Sequence, residues 1–276
     1  MGRVNVITLL TDFGTADGYA GIMHGVILRI NPQAAVVHLS HDIAAQDVRA
    51  AAFVLSAAYA YFPQGTIHVA VVDPGVGSGR RVMALRTAKG TFLAPDNGVL
   101  SYIWARETAL EVVQVANSRY WLSSVSSTFH GRDVFAPVAA YLSLGVPLSE
   151  LGPPLHDPVK FPIVEPEVRE PGTVVGEVQH VDRFGNLVTN IPWHLLPSGQ
   201  AMVVHVGGRQ VKGPLKAYAL AERGELLALV SSTDFLEVAV RDGSAAALLG
   251  VGRGAEVVVN FCPQGAEDGP QEGGEA

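Results

Sequence analysis

The sequence contains a single cysteine, Cys262, among its 276 residues. One thiol cannot close a disulfide within the chain, and it cannot supply the cysteine pairs of a structural zinc site. No apolar run approaches the roughly 18 residues that a membrane-spanning helix needs. We expect no secretory signal, because residues 4–10 already read as a strand. These absences predict a protein of the cytoplasm.

Charge is also scarce, with charged residues making up 16% of the chain and a net charge of -7. An acidic chain without a basic stripe has no electrostatic attraction for nucleic acid or for an anionic membrane surface. Small molecules or other proteins are therefore the expected partners. The hydrophobic fraction of 48% is enough for one large core or two smaller ones.

The first half of the chain alternates strand and helix patterns. Short apolar strands are predicted at residues 4–10, 35–39, 67–72, 82–86 and 91–94, and helical periodicity at residues 17–30, 47–61 and 133–144. This alternation predicts an α/β domain over residues 1–152, with a largely parallel central sheet covered by helices on both faces.

The second half has a different composition. Residues 153–171 are rich in proline and lack helical periodicity, which predicts a linker. Residues 172–262 contain strand patterns separated by glycine turns, typical of a small antiparallel β-barrel. Residues 263–276 are rich in glycine, glutamate and glutamine, which predicts a disordered tail.

Residues 71–81 carry the most informative motif, because a buried strand ends there in Asp73, a glycine-rich loop and the pair Arg80 and Arg81. Open α/β sheets bind ligands at such strand ends. No Gly-Lys-Ser/Thr follows, so a nucleoside triphosphate is not the expected ligand. Taken singly, each of these residues is as well explained by a turn or a solvated charge, and only their combination favours a site.

Two other strand-to-helix turns hold candidate residues. Asp12 and Asp17 lie in the turn after the first strand, where carboxylates bind ribose hydroxyls or an amine, or merely cap the helix and stabilise the turn. His130 precedes a predicted helix, where a neutral imidazole could accept a proton near pH 7.

Two further polar turns complete the pattern. Residues 94–98, Ala-Pro-Asp-Asn-Gly, are as well explained by a tight turn as by a site. In the second half, Asp182, Phe184 and Asn186 could bind a heteroaromatic ring by stacking and edge hydrogen bonds, or form an ordinary β-turn.

Together these five motifs resemble the S-adenosyl-L-methionine (SAM) hydroxide adenosyltransferase family, the SAM hydrolases, which is related to the fluorinase and chlorinase enzymes. The resemblance spans about residues 4 to 250, and the motifs are Thr11–Gly14, Asp73–Gly77, Ala94–Gly98, Phe129–Asp133 and Asp182–Asn186 with Thr189 and Asn190.

The resemblance implies an N-terminal α/β domain, a C-terminal β-barrel and a homotrimer whose sites lie between subunits. It implies a catalytic triad at Asp73, Arg80 and His130, in which Arg81 could replace Arg80. Ribose and methionine contacts would fall on Asp12, Asp17, Asp182 and Ser232, and adenine contacts on Phe184, Asn186 and Ala245. SAM would be the substrate, with no cofactor and no metal.

One departure from the halogenating relatives favours hydrolysis. They carry a tyrosine where this chain has Asp73 and a threonine where it has Val76. A carboxylate repels a halide, and valine offers it no hydroxyl. A second departure, Thr233 in place of an arginine, leaves the methionine-end contacts open. The expected reaction is attack of water on C5′ of SAM, giving adenosine and L-methionine. The alternatives are a SAM-dependent halogenase and a SAM- or adenosine-binding protein with little turnover.

Overall fold

A computed structural model describes residues 6–170, 172–196 and 201–261. The chain divides into two compact units, residues 1–163 and residues 164–276. Cys262 and the predicted tail at residues 263–276 lie outside the described residues.

The first unit is built on a six-stranded sheet in the order β2-β1-β3-β5-β4-β6. Strands β2, β1, β3 and β5 are parallel, whereas β4 runs antiparallel to both of its neighbours. The predicted α/β class with a largely parallel sheet is confirmed. The strands are β1 Val6–Thr11, β2 Ala35–Ser40, β3 Thr66–Val71, β4 Val82–Arg86, β5 Gly90–Pro95 and β6 Glu111–Gln114.

Helices cover both faces of this sheet, which explains why β3 and β5 are buried along their whole length. One face packs against α1 and α4, for example through Met23 and Val138. The other packs against α2 and α3 through Leu55 and Ile103. The helices are α1 Tyr19–Ile30, α2 Val48–Ala58, α3 Ser101–Arg106 and α4 Ala136–Ser143.

Several helix boundaries differ from the sequence prediction. Helix α1 begins at Tyr19 because Gly18 adopts a left-handed conformation, with φ 72°. The helix predicted from residue 133 is preceded by a π-helical turn, Gly131–Phe135, that leads directly into α4. Helix α3 and strand β6 were not predicted, because both are short and lack clear periodicity.

The second unit is an antiparallel sheet in the order β11-β10-β14-β8-β9-β13-β12, with β7 also paired to β8. An isolated bridge from Leu215 to Leu229, in β12, links the segment after β11 to the far edge strand, so the sheet is nearly closed. The predicted C-terminal β-barrel is confirmed. Its elements are β7 Glu167–Glu170, β8 Thr173–Val181, β9 Leu187–Pro192, β10 Met202–Val206, β11 Arg209–Gly213, β12 Leu226–Val230, β13 Phe235–Val240, α5 Ala245–Leu249 and β14 Glu256–Phe261.

The proline-rich segment is ordered through hydrogen bonds to the first unit. The backbone N–H of Val159 donates to Asp96, and that of Phe161 donates to Ser101. Further along, β7 pairs with β8 within the second unit. Within the described ranges, no helix is long and apolar enough to cross a membrane.

Candidate active site

Three parallel neighbours, β1, β3 and β5, end at the same edge of the first sheet and are followed closely by Asp12, Asp73 and Asp96. Strand order reverses at β1, because the chain passes from β1 outward to β2 and then back across to β3. Ligand crevices of open α/β sheets lie at such a switch point, outside the carboxyl ends of the strands. The fold therefore brings the first three predicted motifs together.

The centre of this edge is an ion pair between Asp73 and Arg80. Nε of Arg80 donates to both carboxylate oxygens of Asp73, at 2.9 and 2.8 Å, and Nη2 also contacts the carboxylate. The side chains are only 5% and 11% exposed, respectively. A buried, forked contact of this kind fixes the plane of the guanidinium far better than a surface pair would.

Arg80 extends the same network to His130. Its Nη2 donates to Nδ1 of His130 at 2.9 Å. The neutral imidazole must then carry its own proton on Nε2, because Nδ1 acts as the acceptor. The three residues of the implied triad, Asp73, Arg80 and His130, are thus joined by hydrogen bonds in that order.

Two glycines allow the loop to take this path. Gly75 lies against the Arg80 side chain, and a Cβ added there would be 3.1 Å from its Cγ. Gly77 has φ 77°, and a Cβ added there would be 2.2 Å from the carbonyl oxygen of Ser127. The glycine at position 77 therefore lets the Asp73 loop pack against the segment that leads to His130.

Arg81, the alternative left open by the sequence, lies in a different set of contacts. Its guanidinium contacts the buried carboxylate of Asp96 at 2.6 Å and Asp157 at 2.7 Å. These contacts fasten the proline-rich segment to the first unit. The adjacent Asn97 donates to the carbonyl of Val72 at 2.9 Å and so holds the end of β3, just before Asp73.

The electrostatic environment favours the neutral form of His130. Desolvation by burial and the positive charge of Arg80 lower its pKa, and they outweigh the opposing effects of Asp73 and Asp133. Asp133 is fully buried in the π-helical turn. Burial favours its neutral form, but hydrogen bonds from Arg132 and Ser126 lower its pKa overall. This carboxylate ties the segment before His130 to the helix.

Asp12 lies where the sequence predicted a ligand carboxylate. Its Oδ2 accepts the backbone N–H of Gln46 at 2.7 Å, and Gln46 itself has φ 65°. Asp17 lies further along the turn and is exposed, and it does not cap α1, whose N-cap residue is Gly18.

Asp12, Asp73 and His130 line one cavity of about 330 Å³ together with Val76 and Gln46. Its wall contains three aromatic rings to which the sequence analysis gave no role. Phe13, Tyr19 and Phe129 pack edge to face with centroids 5.1 to 5.9 Å apart. Phe13 and Phe129 lie inside the recognised motifs, and their apolar character was the available signal. The cavity thus combines an apolar wall with a charged end.

In the second unit, Asp182 organises the turn between β8 and β9. Its Oδ1 accepts the backbone N–H groups of Phe184 and Asn186, and its Oδ2 accepts the Asn186 side chain at 3.0 Å. Asn186 is buried, whereas the Phe184 ring is 75% exposed. The turn therefore presents an aromatic face to its surroundings.

This turn packs against the start of α5. The N–H of Ala246 donates to the carbonyl of Gly185, and a Cβ at Gly185 would lie 2.0 Å from Oγ of Ser244. Ala245, which is buried, is thereby brought to the turn that holds Phe184. Ser232 is exposed, and the hydroxyl contact recorded beside it joins Ser231 to Thr233.

A buried acid near Asp182 was missed by the sequence analysis. Glu237 in β13 is 4% exposed and accepts the Tyr218 hydroxyl at 2.6 Å. Burial and the charge of Asp182 raise its pKa, despite the opposing hydrogen bond from Tyr218. A lone glutamate in a strand carries no sequence signal of such a contact.

Fold and site together define a class: a two-unit α/β and β-barrel protein with a partly buried Asp–Arg–His network at a cavity. Over the described ranges, no cluster of three or more His, Cys, Asp or Glu side chains could hold a metal ion. Family models assign residues 7–152 to the SAM hydroxide adenosyltransferase N-terminal domain and residues 176–258 to the C-terminal domain. The chain belongs to this family.

Curated relatives agree with this assignment. The chain is 41% identical over 248 residues to the (R)-S-adenosyl-L-methionine hydrolase of Salinispora tropica, covering 89% of this chain and 94% of the relative. It is 37% identical to the enzyme of the same name from Thermus thermophilus, with 91% and 98% covered. A fluorinase from an Actinoplanes species is more distant, at 28% identity over 67% of this chain and 71% of the relative.

A solved structure shares the fold over nearly the whole chain. The crystal structure of an uncharacterized conserved protein from Thermotoga maritima superimposes with a TM-score of 0.86 at 38% identity, covering 92% of this chain and 99% of that one.

Proposed function

We propose that this protein is a SAM hydrolase, in which water attacks C5′ of SAM and displaces the sulfonium to give adenosine and L-methionine. The oxygen of water forms the new C–O bond while the C5′–S bond breaks. The electron pair of the broken C5′–S bond stays on the sulfur and neutralises it. One proton is released. The contact that carries the proposal is the hydrogen-bonded series Asp73–Arg80–His130 beside a cavity lined by Asp12.

The leaving group is a neutral thioether, so its departure needs neither a proton nor a Lewis acid. The demanding part is the nucleophile, because bulk water has a pKa of about 15.7. A guanidinium beside the attacking oxygen stabilises developing hydroxide, and a neutral imidazole takes the proton. We therefore propose that no metal and no cofactor take part.

The contact between Arg80 and His130 in the ligand-free protein must open before His130 can accept a proton from water. Nη2 of Arg80 occupies the Nδ1 lone pair that would have to accept the proton. We propose that, when SAM is bound, the attacking water displaces Nη2, accepting from Arg80 and donating to His130. Asp73 keeps the guanidinium in plane during this exchange. Catalytic hydrogen bonds of this kind commonly form fully only in the substrate complex.

The remaining contacts follow the family resemblance. Asp12 is proposed to bind the ribose, and Asp17, Asp182 and Ser232 the methionine end. Phe184 is proposed to stack on adenine, with Asn186 and Ala245 at its edge. Supporting observations are the exposed Phe184 ring and the packing of its turn against α5.

The resemblance also supports a homotrimer in which the first unit of one subunit and the second unit of its neighbour form each site. The composition of the sequence supports a location in the cytoplasm. Solution mass tests the trimer. Mixing inactive Asp73→Ala subunits with weakly binding Phe184→Ala subunits tests the shared site when SAM is well below KM, because mixed trimers would regain some intact sites. Failure of the refolded mixture to exceed either variant alone would contradict the arrangement.

The reaction is tested by incubating the protein with SAM in H₂¹⁸O. Adenosine carrying ¹⁸O at the 5′ position is expected, in equal amounts with L-methionine. His130→Asn is the sharpest variant, since its side-chain oxygen can still accept from Arg80 but cannot take the proton. We expect it to lose about 10² to 10⁴ in kcat. Full activity in both His130→Asn and Asp73→Ala would exclude the assigned site.

The competing halogenase is tested in the same assay with added chloride or fluoride. Asp73 and Val76 both line the cavity, and neither offers a halide a hydrogen-bond donor in its side chain. We expect no 5′-halo-5′-deoxyadenosine. Binding of SAM without loss over hours at stoichiometric enzyme would instead indicate a SAM-binding protein.

A further inference from the structure

Three histidines form a continuous hydrogen-bonded chain that ends at the turn carrying Asp12. Nδ1 of His24, in α1, lies 3.0 Å from Nε2 of His38, in β2. Nδ1 of His38 lies 2.6 Å from Nε2 of His41, just after the strand. Nδ1 of His41 lies 2.8 Å from Oγ1 of Thr11, the residue before Asp12.

His41 contacts both sides of Asp12. Its ring contacts the hydroxyl of Thr11, which also accepts the backbone N–H of Phe13. Its carbonyl oxygen accepts the N–H of Gly14 at 2.8 Å. His41 is only 7% exposed, so these contacts are shielded from water. The short turn at residues 11–14 is thus held at its first and last residue by the same side chain and backbone.

Counting protons shows how many the three-histidine chain can hold without breaking a contact. Each contact between two ring nitrogens needs one proton, donated by one ring and accepted by the other. Three neutral rings supply three protons. Two lie in the two ring-to-ring contacts, and the third lies at one end of the histidine chain, on Nε2 of His24 or on Nδ1 of His41. A fourth proton fills the other end without breaking a contact. A fifth would place two protons in one contact and separate those rings.

We propose that His41 is a positioning residue for the Asp12 turn, and that His38 and His24 fix the orientation of its ring while the chain carries no more than one extra proton. Because Asp12 is assigned to the ribose, the kinetic part of this inference rests on the proposed function. Its structural part, the order of residues 11–14, does not.

The surrounding charges fit this limit. Burial and the neighbouring His38 lower the pKa of His41, while Asp42, which follows it in sequence, raises it. Burial and His24, across on α1, lower the pKa of His38. Thr11, on β1, is neutral. A second extra proton therefore enters only below the ordinary histidine pKa of 6.5, and the Asp12 turn loosens as pH falls through that range.

The structural test is hydrogen exchange at the amides of Phe13 and Gly14, measured at pH 7.5 without ligand. His41→Leu removes the ring contacts and is expected to speed exchange there about tenfold, as expected for the loss of one or two hydrogen bonds. In His41→Asn, the amide replaces Nδ1 opposite Thr11, so exchange should stay within about threefold of the parent. His205→Asn, in the second unit, is the matched control. Unchanged exchange in His41→Leu would overturn the proposal.

The functional test is the split between KM and kcat for SAM. His41→Leu should raise KM and the adenosine dissociation constant about tenfold and leave kcat within about threefold, with rescue by His41→Asn. A loss confined to kcat would overturn the assigned role. If the protein releases no adenosine from SAM, the proposed function fails, while the exchange result still decides the role of His41.

The role of the histidine chain is tested by measuring hydrogen exchange as a function of pH. In the parent protein, exchange at these amides, corrected for its intrinsic pH dependence, should rise as pH falls below the ordinary histidine pKa of 6.5, because a second extra proton separates two rings. His38→Leu leaves one titrating ring beside Thr11 and should remove most of that rise. An identical pH dependence in the parent and in His38→Leu would overturn the role of the histidine chain.

Discussion

Arg80 donates Nη2 to Nδ1 of His130 at 2.9 Å while its Nε is engaged by both oxygens of Asp73. One guanidinium therefore fixes both the orientation and the tautomer of the imidazole. It also places a permanent positive charge beside the imidazole that we propose as the proton acceptor.

The first prediction concerns pH. Burial and Arg80 lower the pKa of His130 below its ordinary value of 6.5, so the neutral ring persists to more acidic pH than in an unfolded chain. Activity in kcat/KM should be level near pH 7 to 8 and fall tenfold per unit below the lowered pKa. The pH–rate profile of the parent protein measures this limb.

Variants of the triad should move that limb in opposite directions. Arg80→Met removes a charge that lowers the pKa of His130, so the limb should move to higher pH. Asp73→Asn removes a charge that raises it, so the limb should move to lower pH. A limb that stays in place in both variants would mean that another group is titrating.

The second prediction separates the two adjacent arginines. Lysine cannot contact Asp73 through a planar fork and His130 at the same time, so Arg80→Lys should lose roughly 10² to 10³ in kcat. Arg81→Lys is the matched control, because Arg81 contacts Asp96 and Asp157 instead. It should keep kcat within about threefold and lower the denaturation midpoint only slightly, because exposed ion pairs contribute little to stability. Equal losses of kcat in the two variants would contradict the separation.

The third prediction concerns the loop that carries the arginine. Gly77→Ala places a Cβ 2.2 Å from the Ser127 carbonyl at a residue with φ 77°. The clash and the left-handed backbone should together cost about 2 to 4 kcal/mol of unfolding free energy and lower kcat by displacing Arg80.

Gly79→Ala, two residues further on, is its control. A Cβ there meets nothing within 4 Å. Its unfolding free energy should change by no more than about 0.5 kcal/mol. Chemical denaturation of the two variants provides the comparison, and similar midpoints would show that the close contact at Gly77 is not maintained.

The fourth prediction concerns the aromatic ring in the second unit. Phe184 is 75% exposed, so Phe184→Ala should leave the unfolding free energy within about 0.5 kcal/mol of the parent. Loss of stacking on adenine should weaken SAM binding about tenfold. Tyr61, which is 82% exposed in the first unit, provides the control Tyr61→Ala. Calorimetric titration should detect weaker SAM binding in Phe184→Ala and unchanged SAM binding in Tyr61→Ala.

The strand-end motifs and the two-part architecture could be predicted from sequence. Parallel strands ending at a common edge bring Asp12 and Asp73 together whatever the details of packing. The change from alternating strands and helices to strands alone after residue 171 predicted the C-terminal barrel. The contact of Glu237 with Tyr218 could not be predicted, because an acidic residue in a strand has many equivalent environments. For Phe13 and Phe129, apolar character was the only signal, and it does not specify which rings pack together.

By itself, the sequence determined which chemical groups follow each central strand and the family to which the chain belongs. Only the tertiary structure decided that Arg80, and not Arg81, contacts Asp73, because this depends on the path of the loop between them and on the positions of Asp96 and Asp157, which bind Arg81 instead. The same holds for the histidine chain, whose members come from a helix, a strand and the loop after it. Their contact depends on how α1 packs beside β2, and the distance between rings on these two elements cannot be predicted from local sequence.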